Sequence, residues 1–451
     1  MSFCGDKCIL AFRCHISKHY CSSGVCVWLC AHCCAMSFHL RVITLNCWAL
    51  PQPWPVGSRD RQYRLSKLCE ALLSTNYDII SLQEIWSVRD FDRINSAIKD
   101  VYPYSYYFHS GFTGSGVCIF SRHAIVSTLM HRYSLNGFAH HIHRGDWFGG
   151  KVVGMVQLEI GTYRINFYAT HLHAEYDREN DLYLPHRLSQ AFELSQFVKH
   201  TSHAADLTIL TGDFNLEPDD LGYRLIVDNA NLIDAWLARP NKSGCETGMT
   251  CDRPDNCYTA RNLKQPNPAG KRLDYIMYKC GKSDVDLVMC ENRLGRIPGD
   301  KQINYSDHLG VYADFVVSKQ HEKVPISRCL ETANTSNCAD SGAQPVEEKQ
   351  EHWVTSASLL KESIRITGEG ETRALWDRRL FLGVSFVLTA IVISTLNVEI
   401  YYPAWTAVAT LFRFLLTLVI GFSLWHGFIG LTMELKALKA AKAAMAMLLN
   451  D

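Results

Sequence analysis

Thr211-Gly212-Asp213-Phe214-Asn215 closes a short apolar run, Leu207–Leu210, and sets a carboxylate and a carboxamide two residues apart just past a glycine. A run of that length, bounded by polar residues, reads as a buried strand. If the chain stays extended through the motif, alternation turns Asp213 and Asn215 to the same side. One could then contact a hard cation or orient water, and the other could hydrogen-bond a phosphoryl oxygen. Taken alone, Asp-x-Asn at a strand end is often an ordinary Asx turn, so the surrounding chain has to decide.

Outward from this motif the same theme recurs. Leu40–Asn46, Asp78–Leu82, Val117–Phe120, Val152–Ile160, Arg164–Thr170, Leu273–Tyr278 and Leu309–Val317 all read as strands. Asp60–Ser74 gathers Tyr63, Leu65, Leu68, Leu72 and Leu73 near one helical face, and Pro185–His200 and Asp219–Asp228 read as further helices. Many strands with few intervening helices predict a layered α/β or α+β sandwich. Polar residues collect where the strands end: Asn46, Glu84, His171, Asp213, Asn215, Asp274, Asp307 and His308. Strand ends are where a rigid scaffold presents chemistry.

Several of these residues suggest roles by type. Ser306-Asp307-His308 sets a carboxylate beside an imidazole, the side chain that titrates near neutrality. Asp274 stands alone in the apolar strand Arg272–Ile276, and a buried carboxylate is expensive unless paired. It either accepts structural hydrogen bonds or orients His308. Glu84 after Ile79–Gln83 reads as a metal ligand or a capping residue. In Thr170-His171-Leu172-His173, alternation lets one histidine face a site and the other face elsewhere. Asp146 and Lys151 lie five apart in a loop rich in glycine and aromatic residues. They read as a solvated turn or as a membrane-responsive pair, with Trp147 and Phe148 at a lipid interface or in the core.

The order of these signals is more telling than any one of them. Asn46, Gln83-Glu84, Thr170-His171, Gly212-Asp213-x-Asn215, Leu273-Asp274-Tyr275 and Ser306-Asp307-His308 follow one another. Leu40 to Val317 resembles the endonuclease/exonuclease/phosphatase superfamily. Within that stretch, Leu45–Trp48, His143–Lys151 and Thr170–Tyr176, together with the C-terminal apolar hairpin, resemble the animal neutral sphingomyelinases. The resemblance implies a four-layer sandwich of two mixed β-sheets flanked by helices. It also implies Mg²⁺-dependent hydrolysis of sphingomyelin to ceramide and phosphocholine, with choline lysophospholipids as alternative substrates. By the same resemblance Glu84 and Asn46 hold magnesium, His308 is the general base, and Asp274 or Asp307 orients its imidazole. His171 and Asn215 hydrogen-bond the phosphoryl oxygens, and Asp213 orients the water or contacts a second ion. The resemblance departs at the long leader.

Composition narrows the partners. Lysine plus arginine equals aspartate plus glutamate at 45 each, so no nucleic-acid partner is expected. Inositol-phosphate phosphatases of this fold carry an arginine-rich signature near the Leu-Asp-Tyr strand, where only Lys271-Arg272 stands. A catalytically dead scaffold would lack part of the set from Asn46 to His308. Of the 18 cysteines, eight lie in the first 34 residues and the others are scattered, which reads as reduced thiols in a cytosolic domain. The expected organisation is a leader over 1–35, disordered or a mis-assigned start, a catalytic domain over 36–317, a polar linker over 318–372 with one short helix near Val354–Ile364, and a membrane region over 373–451. Apolar runs at about 380–398 and 411–431 have the length of spans, with Arg413 at an interface. Basic residues flank the hairpin outside (Arg373, Arg378, Arg379, Lys436, Lys439, Lys442), which predicts both ends and the catalytic domain on the cytosolic side. The partners expected are sphingomyelin, membrane lipid and, for the Asp146–Lys151 pair, anionic lipids.

Overall fold

The structure, a computed structural model, describes residues 37–52, 57–242, 247–260, 268–300, 302–319 and 346–450. The leader over 1–35 and the first part of the expected linker lie outside those residues. In chain order the elements are β1 (Phe38–Asn46), α1 (Arg61–Ser74), β2 (Ile79–Gln83), α2 (Val88–Ile98), β3 (Tyr104–Tyr107), β4 (Cys118–Ser121), β5 (Ile125–Arg132), β6 (Val152–Ile160) and β7 (Tyr163–His171). There follow α3 (Leu184–Thr201), β8 (Leu207–Asp213), α4 (Leu221–Ala230), β9 (Ile233–Asp234), α5 (Ala235–Ala238), β10 (Asp274–Cys280), β11 (Ser283–Arg293) and β12 (Gly310–Lys319). The C-terminal part is α6 (Val346–Ser394), α7 (Val398–Tyr401), α8 (Thr406–Trp425) and α9 (Leu431–Asn450).

The strands form two six-stranded mixed sheets, ordered β11-β12-β1-β2-β4-β3 and β5-β6-β7-β8-β10-β9. Each contains one parallel pair, β1 with β2 and β7 with β8. Alternation decides which face is inside. Val42, Ile79, Ile119, Ala313 and Phe315 of the first sheet pack on Val156, Phe167, Ile209 and Ile276 of the second, and all are buried. The opposite faces of the same strands, Ile43, Leu45, Ile80 and Leu82, meet Leu65, Leu68 and Leu72 of α1 and Ile94 and Ile98 of α2. Tyr168, Leu210 and Met277 likewise meet Ala191, Leu194 and Val198 of α3 and Tyr223 and Ile226 of α4. Both faces of each sheet are covered, so the strands read as near-continuous apolar runs. The result is the four-layer sandwich the resemblance implied.

β3, β5, β11 and α2 gave no clear signal in the sequence. β5 is a half-exposed edge with no apolar run, and β11 carries a register shift between Leu287 and Met289 that breaks its alternation. Among the described residues seven cysteines are free.

In the C-terminal region the helix expected within the linker is far longer than its sequence signal. From Val346 the chain is one helix that runs through to Ser394. Leu359, Leu360, Ser363, Ile366, Thr367 and Ala374 are buried along it, a helical stripe. Leu360 and Ile366 pack with Leu188 and Phe192 of α3, Leu225 of α4, and Ala441 and Met445 of α9. The stripe is hidden in the sequence because two of its members are hydroxyls. Ser363 and Thr367 donate to the carbonyls of Leu359 and Ser363 one turn back, at 2.7 Å each, so they can be buried in a helix. The expected tail after residue 431 is likewise a helix on the sandwich, with Glu434 3.3 Å from His186 and Glu371 of α6 paired to Lys442. Within the segments Ala357–Tyr401 and Pro403–Leu449 two helices are long and apolar enough to cross a membrane. Phe386 and Phe414 on them are 77% and 58% exposed. Arg413 pairs with Glu399 and donates to the Thr395 carbonyl at 2.8 Å.

Candidate active site

Strand register brings the polar ends together. β1 and β2 run parallel with Asn46 opposite Gln83, so Glu84 follows at the same edge. β7 and β8 run parallel with His171 opposite Asp213, and β10 enters antiparallel with Asp274 opposite Asp213. The carboxyl ends of four strands and the amino ends of β10 and β12 therefore meet at one rim of the sandwich. Gly212 makes the approach possible. Its φ is +146°, and a Cβ there would stand 2.0 Å from the Thr170 carbonyl oxygen of the neighbouring strand. Glu84 and Asn215 adopt the left-handed conformation (φ +58° and +49°), which turns each out of its strand.

One end of the cleft is a pair of carboxylates around an amide. Asn46 Nδ2 donates to Glu84 Oε1 and to Asp213 Oδ2, both at 2.9 Å, while its Oδ1 accepts from the Trp48 amide at 3.0 Å. A single neutral N–H₂ thus stands between two acids. His171 Nε2 faces the same acids, 4.0 Å from Glu84 Oε1 and 3.6 Å from Asp213 Oδ2. Burial, then the Lys151 charge, holds His171 well below the usual imidazole range. Burial and the Asp274 charge push Asp213 up to about 7. The Glu84 side chain keeps 20% of its surface exposed, so this end opens to solvent.

The other end is closed. His308 Nδ1 lies 2.8 Å from Asp274 Oδ2, with 7% and 0% of the two side chains exposed. Burial opposes the imidazolium, but Cys251 and Asp274 outweigh it and hold His308 well above its ordinary value. The Cys251 thiol is itself pushed up by burial to about 12, so near neutrality the opposing charge is that of Asp274. Of the two acids left open, Asp274 is the one at His308 Nδ1; Asp307 instead accepts from Ser306 Oγ at 3.1 Å, and burial raises it to about 6. His308 Nε2 points back at Asp213 Oδ2, 4.0 Å away. Ligand atoms of Asp213, Asp274 and His308 lie within 4.8 Å of one another. A cavity of about 120 Å³ opens beside His308 and Asn215 and is rimmed by Glu175, Arg178, Asp252 and Lys271.

Asn215 departs from the extended reading. The Asp213 side chain forms an Asx turn by accepting from the Asn215 backbone amide at Oδ1 (2.9 Å), and Asn215 Nδ2 donates to the Leu172 carbonyl at 3.0 Å. Asp146 and Lys151 stand apart. Lys151, only 2% exposed, directs Nζ to His171 Nε2 at 3.0 Å and to the Leu172 carbonyl at 2.8 Å. Asp146 accepts from the Tyr176 hydroxyl and faces His173 Nε2 at 3.8 Å, and burial lowers His173 to about 3. His173 is therefore the histidine that looks away, stacked on Tyr183 at 4.4 Å. Trp147 meets Trp425 of α8 at 5.7 Å, which joins this loop to the apolar hairpin. Ser306 and Cys251 are site residues that sequence reading passed over. Ser306 had a signal in Ser-Asp-His, whereas Cys251 had none. Its contact to His308 arises only from the fold.

Acids and imidazoles gathered at the strand ends of a two-sheet sandwich are the equipment of a phosphoester hydrolase. The Endonuclease/Exonuclease/phosphatase family profile matches residues 43–308, and the chain belongs to that family. A Caenorhabditis elegans protein named as a candidate neutral sphingomyelinase is 51% identical over 91% of this chain and 91% of its own length. Human sphingomyelin phosphodiesterase 2 is 43% identical over 54% of this chain and 56% of its own. A Schizosaccharomyces pombe inositol phosphosphingolipids phospholipase C is 33% identical over 64% and 70%. These likenesses group the chain with the neutral sphingomyelinases. Among solved structures, a Staphylococcus aureus beta toxin double mutant with bound magnesium ions aligns over 61% of this chain and 99% of its own, at 20% identity and a TM-score of 0.45.

Proposed function

We propose that this chain is a membrane-held, Mg²⁺-dependent hydrolase of the phospholipase C type that converts sphingomyelin to ceramide and phosphocholine. The observation that carries the proposal is the convergence of Glu84, Asn46, His171, Asp213, Asp274 and His308 on one cleft. Relatives named for sphingomyelin and for inositol phosphosphingolipids support a sphingolipid phosphodiester as the substrate class.

The donor set fits a hard divalent cation. Two acids converge on one amide N–H₂, and hard oxygen donors with room for retained water suit magnesium. Glu84 would be the principal ligand, with Asn46 beside it. When bound there, Mg²⁺ supplies Lewis acidity that screens the phosphoryl oxygens and the departing ceramide oxygen. The remaining work belongs to the side chains. Asp274 fixes the His308 tautomer with the proton on Nδ1, leaving Nε2 free to take the proton of an attacking water. Asp213, 4.0 Å from that nitrogen, orients the water. The water oxygen bonds to phosphorus as the bond from phosphorus to the ceramide oxygen breaks in line. His171 and Asn215 stabilise charge on the phosphoryl oxygens. Phosphocholine and ceramide leave, the ceramide oxygen taking a proton from solvent water and His308 returning its own to solvent.

The two apolar helices hold this cleft at a bilayer, with the catalytic domain on the cytosolic side. Lys151 and Asp146, apart in this structure, are the elements through which anionic lipid acts on the cleft. The test is release of water-soluble product from headgroup-labelled sphingomyelin by the purified chain, with and without Mg²⁺, beside ceramide phosphoinositol and plasmid DNA. Phosphocholine release that needs Mg²⁺ is expected. Nicked DNA without phosphocholine release would overturn the lipid assignment, and preference for ceramide phosphoinositol would move the headgroup.

A further inference from the structure

Arg64 of α1 is fully buried, and among the described residues it forms no ion pair. Its guanidinium is instead surrounded by backbone carbonyls. Nη1 donates to Cys47 at 2.8 Å and to Tyr305 at 3.0 Å, Nη2 to Trp48 at 2.7 Å, and Nε to Arg59 at 2.9 Å. The rings of Trp48 and Tyr258 stand 5.1 and 5.4 Å from its Cζ. A buried cation is expensive unless its donors are satisfied, and here four carbonyls take four of the five N–H groups. Those carbonyls have a telling address. Cys47 and Trp48 follow Asn46 at the end of β1, and Tyr305 precedes Ser306-Asp307-His308. Ser306 Oγ closes the same seam by donating to the Asn46 carbonyl at 2.6 Å.

We propose that Arg64 is a positioning residue. By gripping the carbonyls of Cys47, Trp48 and Tyr305 at once, its guanidinium fixes the distance between the Asn46–Glu84 end of the cleft and His308. The consequence for catalysis rests on the roles proposed above for those residues. The grip requires a planar fork of donors, which a lysine ammonium cannot reproduce on its flexible stem. Reactions that depend on two groups held at a set spacing lose about 10²-fold in rate for a displacement of about 1 Å. Arg64 is fully buried behind these carbonyls, so its loss should alter catalytic rate and metal requirement and leave lipid binding alone.

The test uses the full chain in mixed micelles, with Arg64→Lys, Arg64→Gln and a control, Asp90→Asn. The control breaks the pair of buried Asp90 with Arg61 in the same helical layer, neither of which holds the carbonyls gripped by Arg64. Amide hydrogen exchange is read for residues 46–49 and 303–308, together with Tm, kcat, KM and the Mg²⁺ concentration for half-maximal rate. Arg64→Lys should speed exchange in both segments by about tenfold or more at a Tm loss like the control's. Its kcat should fall about 30-fold with KM within about twofold and a raised Mg²⁺ requirement. Arg64→Gln should show the same pattern and stands in if the lysine variant does not accumulate. Exchange that rises in neither segment, or a kcat loss no larger than the control's at equal Tm, would overturn the proposal. The exchange result reads Arg64 even if no lipid is cleaved, so failure of the lipid assignment would be told apart.

Discussion

The two ends of the cleft are built from the same residue types and behave in opposite ways. At the His308 end, base and acid satisfy each other: Asp274 and His308 lie 2.8 Å apart and are nearly dry. At the Glu84 end, two carboxylates converge on one neutral amide, and Glu84 reaches solvent. One end is complete as a pair of protein groups, and the other calls for positive charge from outside. The difference teaches where a cation belongs. Under the proposed function it belongs to the open end, because at the closed end Asp274 already occupies one imidazole nitrogen.

The largest effects should come from breaking either end. Glu84→Gln should lower kcat about 10³-fold, since several kcal/mol of charge stabilisation depend on the cation it holds. Steady-state rates across a Mg²⁺ series check this: a raised Mg²⁺ requirement is expected, and an unchanged one would weaken the ligand assignment. His308→Ala should also cost about 10³-fold if it is the base, as proposed. Its Mg²⁺ requirement should stay the same, and that contrast separates the two ends.

Asp274→Asn is the intermediate case, expected to lower kcat about 10²-fold by loosening the imidazole. It should also move the pH profile. Because the folded structure holds His308 above its ordinary value, rates in the wild type should climb as pH rises through a point above about 6.5. Removing the carboxylate should shift that climb toward acid, and an unmoved profile would mean that another group is the base. Lys151→Ala should cost about tenfold, since Lys151 is one donor at the His171 nitrogen facing the acids. If neither activity nor dependence on anionic lipid changed, Lys151 would have no part in regulation.

The smallest effect concerns stability. Asp213 is held up to about 7 from an ordinary value near 3.8, so folding favours its protonated form. That contribution is present below the ordinary value and is lost as pH rises through about 7. With cation removed, Tm of the wild type should fall over this window by a few degrees more than that of Asp213→Asn. Added Mg²⁺ should narrow the gap. Equal slopes for the two proteins would show that the Asp213 carboxyl is not protonated on folding.

Legibility in the sequence followed the same contrast. Strands buried on both faces, such as Val152–Ile160, announce themselves by apolar content, so the sandwich and the residues at its strand ends could be read. Edge strands such as β5 and the bulged β11 could not, because one face is open or the alternation slips. The continuity of α6 between the short helix and the span read from sequence was hidden by Ser363 and Thr367, whose hydroxyls are spent on its own carbonyls. Within the cleft, residue type indicated Asp274 or Asp307 as the partner of His308, and only the register of β10 against β8 decides between them. Lys151 was noticed for a possible partner five residues away, but the fold carries it to His171. Arg64 and Cys251 left no trace, since their meaning lies in backbone carbonyls and an imidazole far away in sequence.

Mn²⁺, a paramagnetic stand-in for Mg²⁺, gives the most direct test of the cleft. Its binding to the purified chain can be followed by electron paramagnetic resonance in the wild type, Glu84→Gln and His308→Ala. One site that disappears in Glu84→Gln and survives in His308→Ala is expected. Binding that persists without Glu84 and vanishes without His308 would place the cation at the Asp213–Asp274–His308 cluster and contradict the division of the cleft.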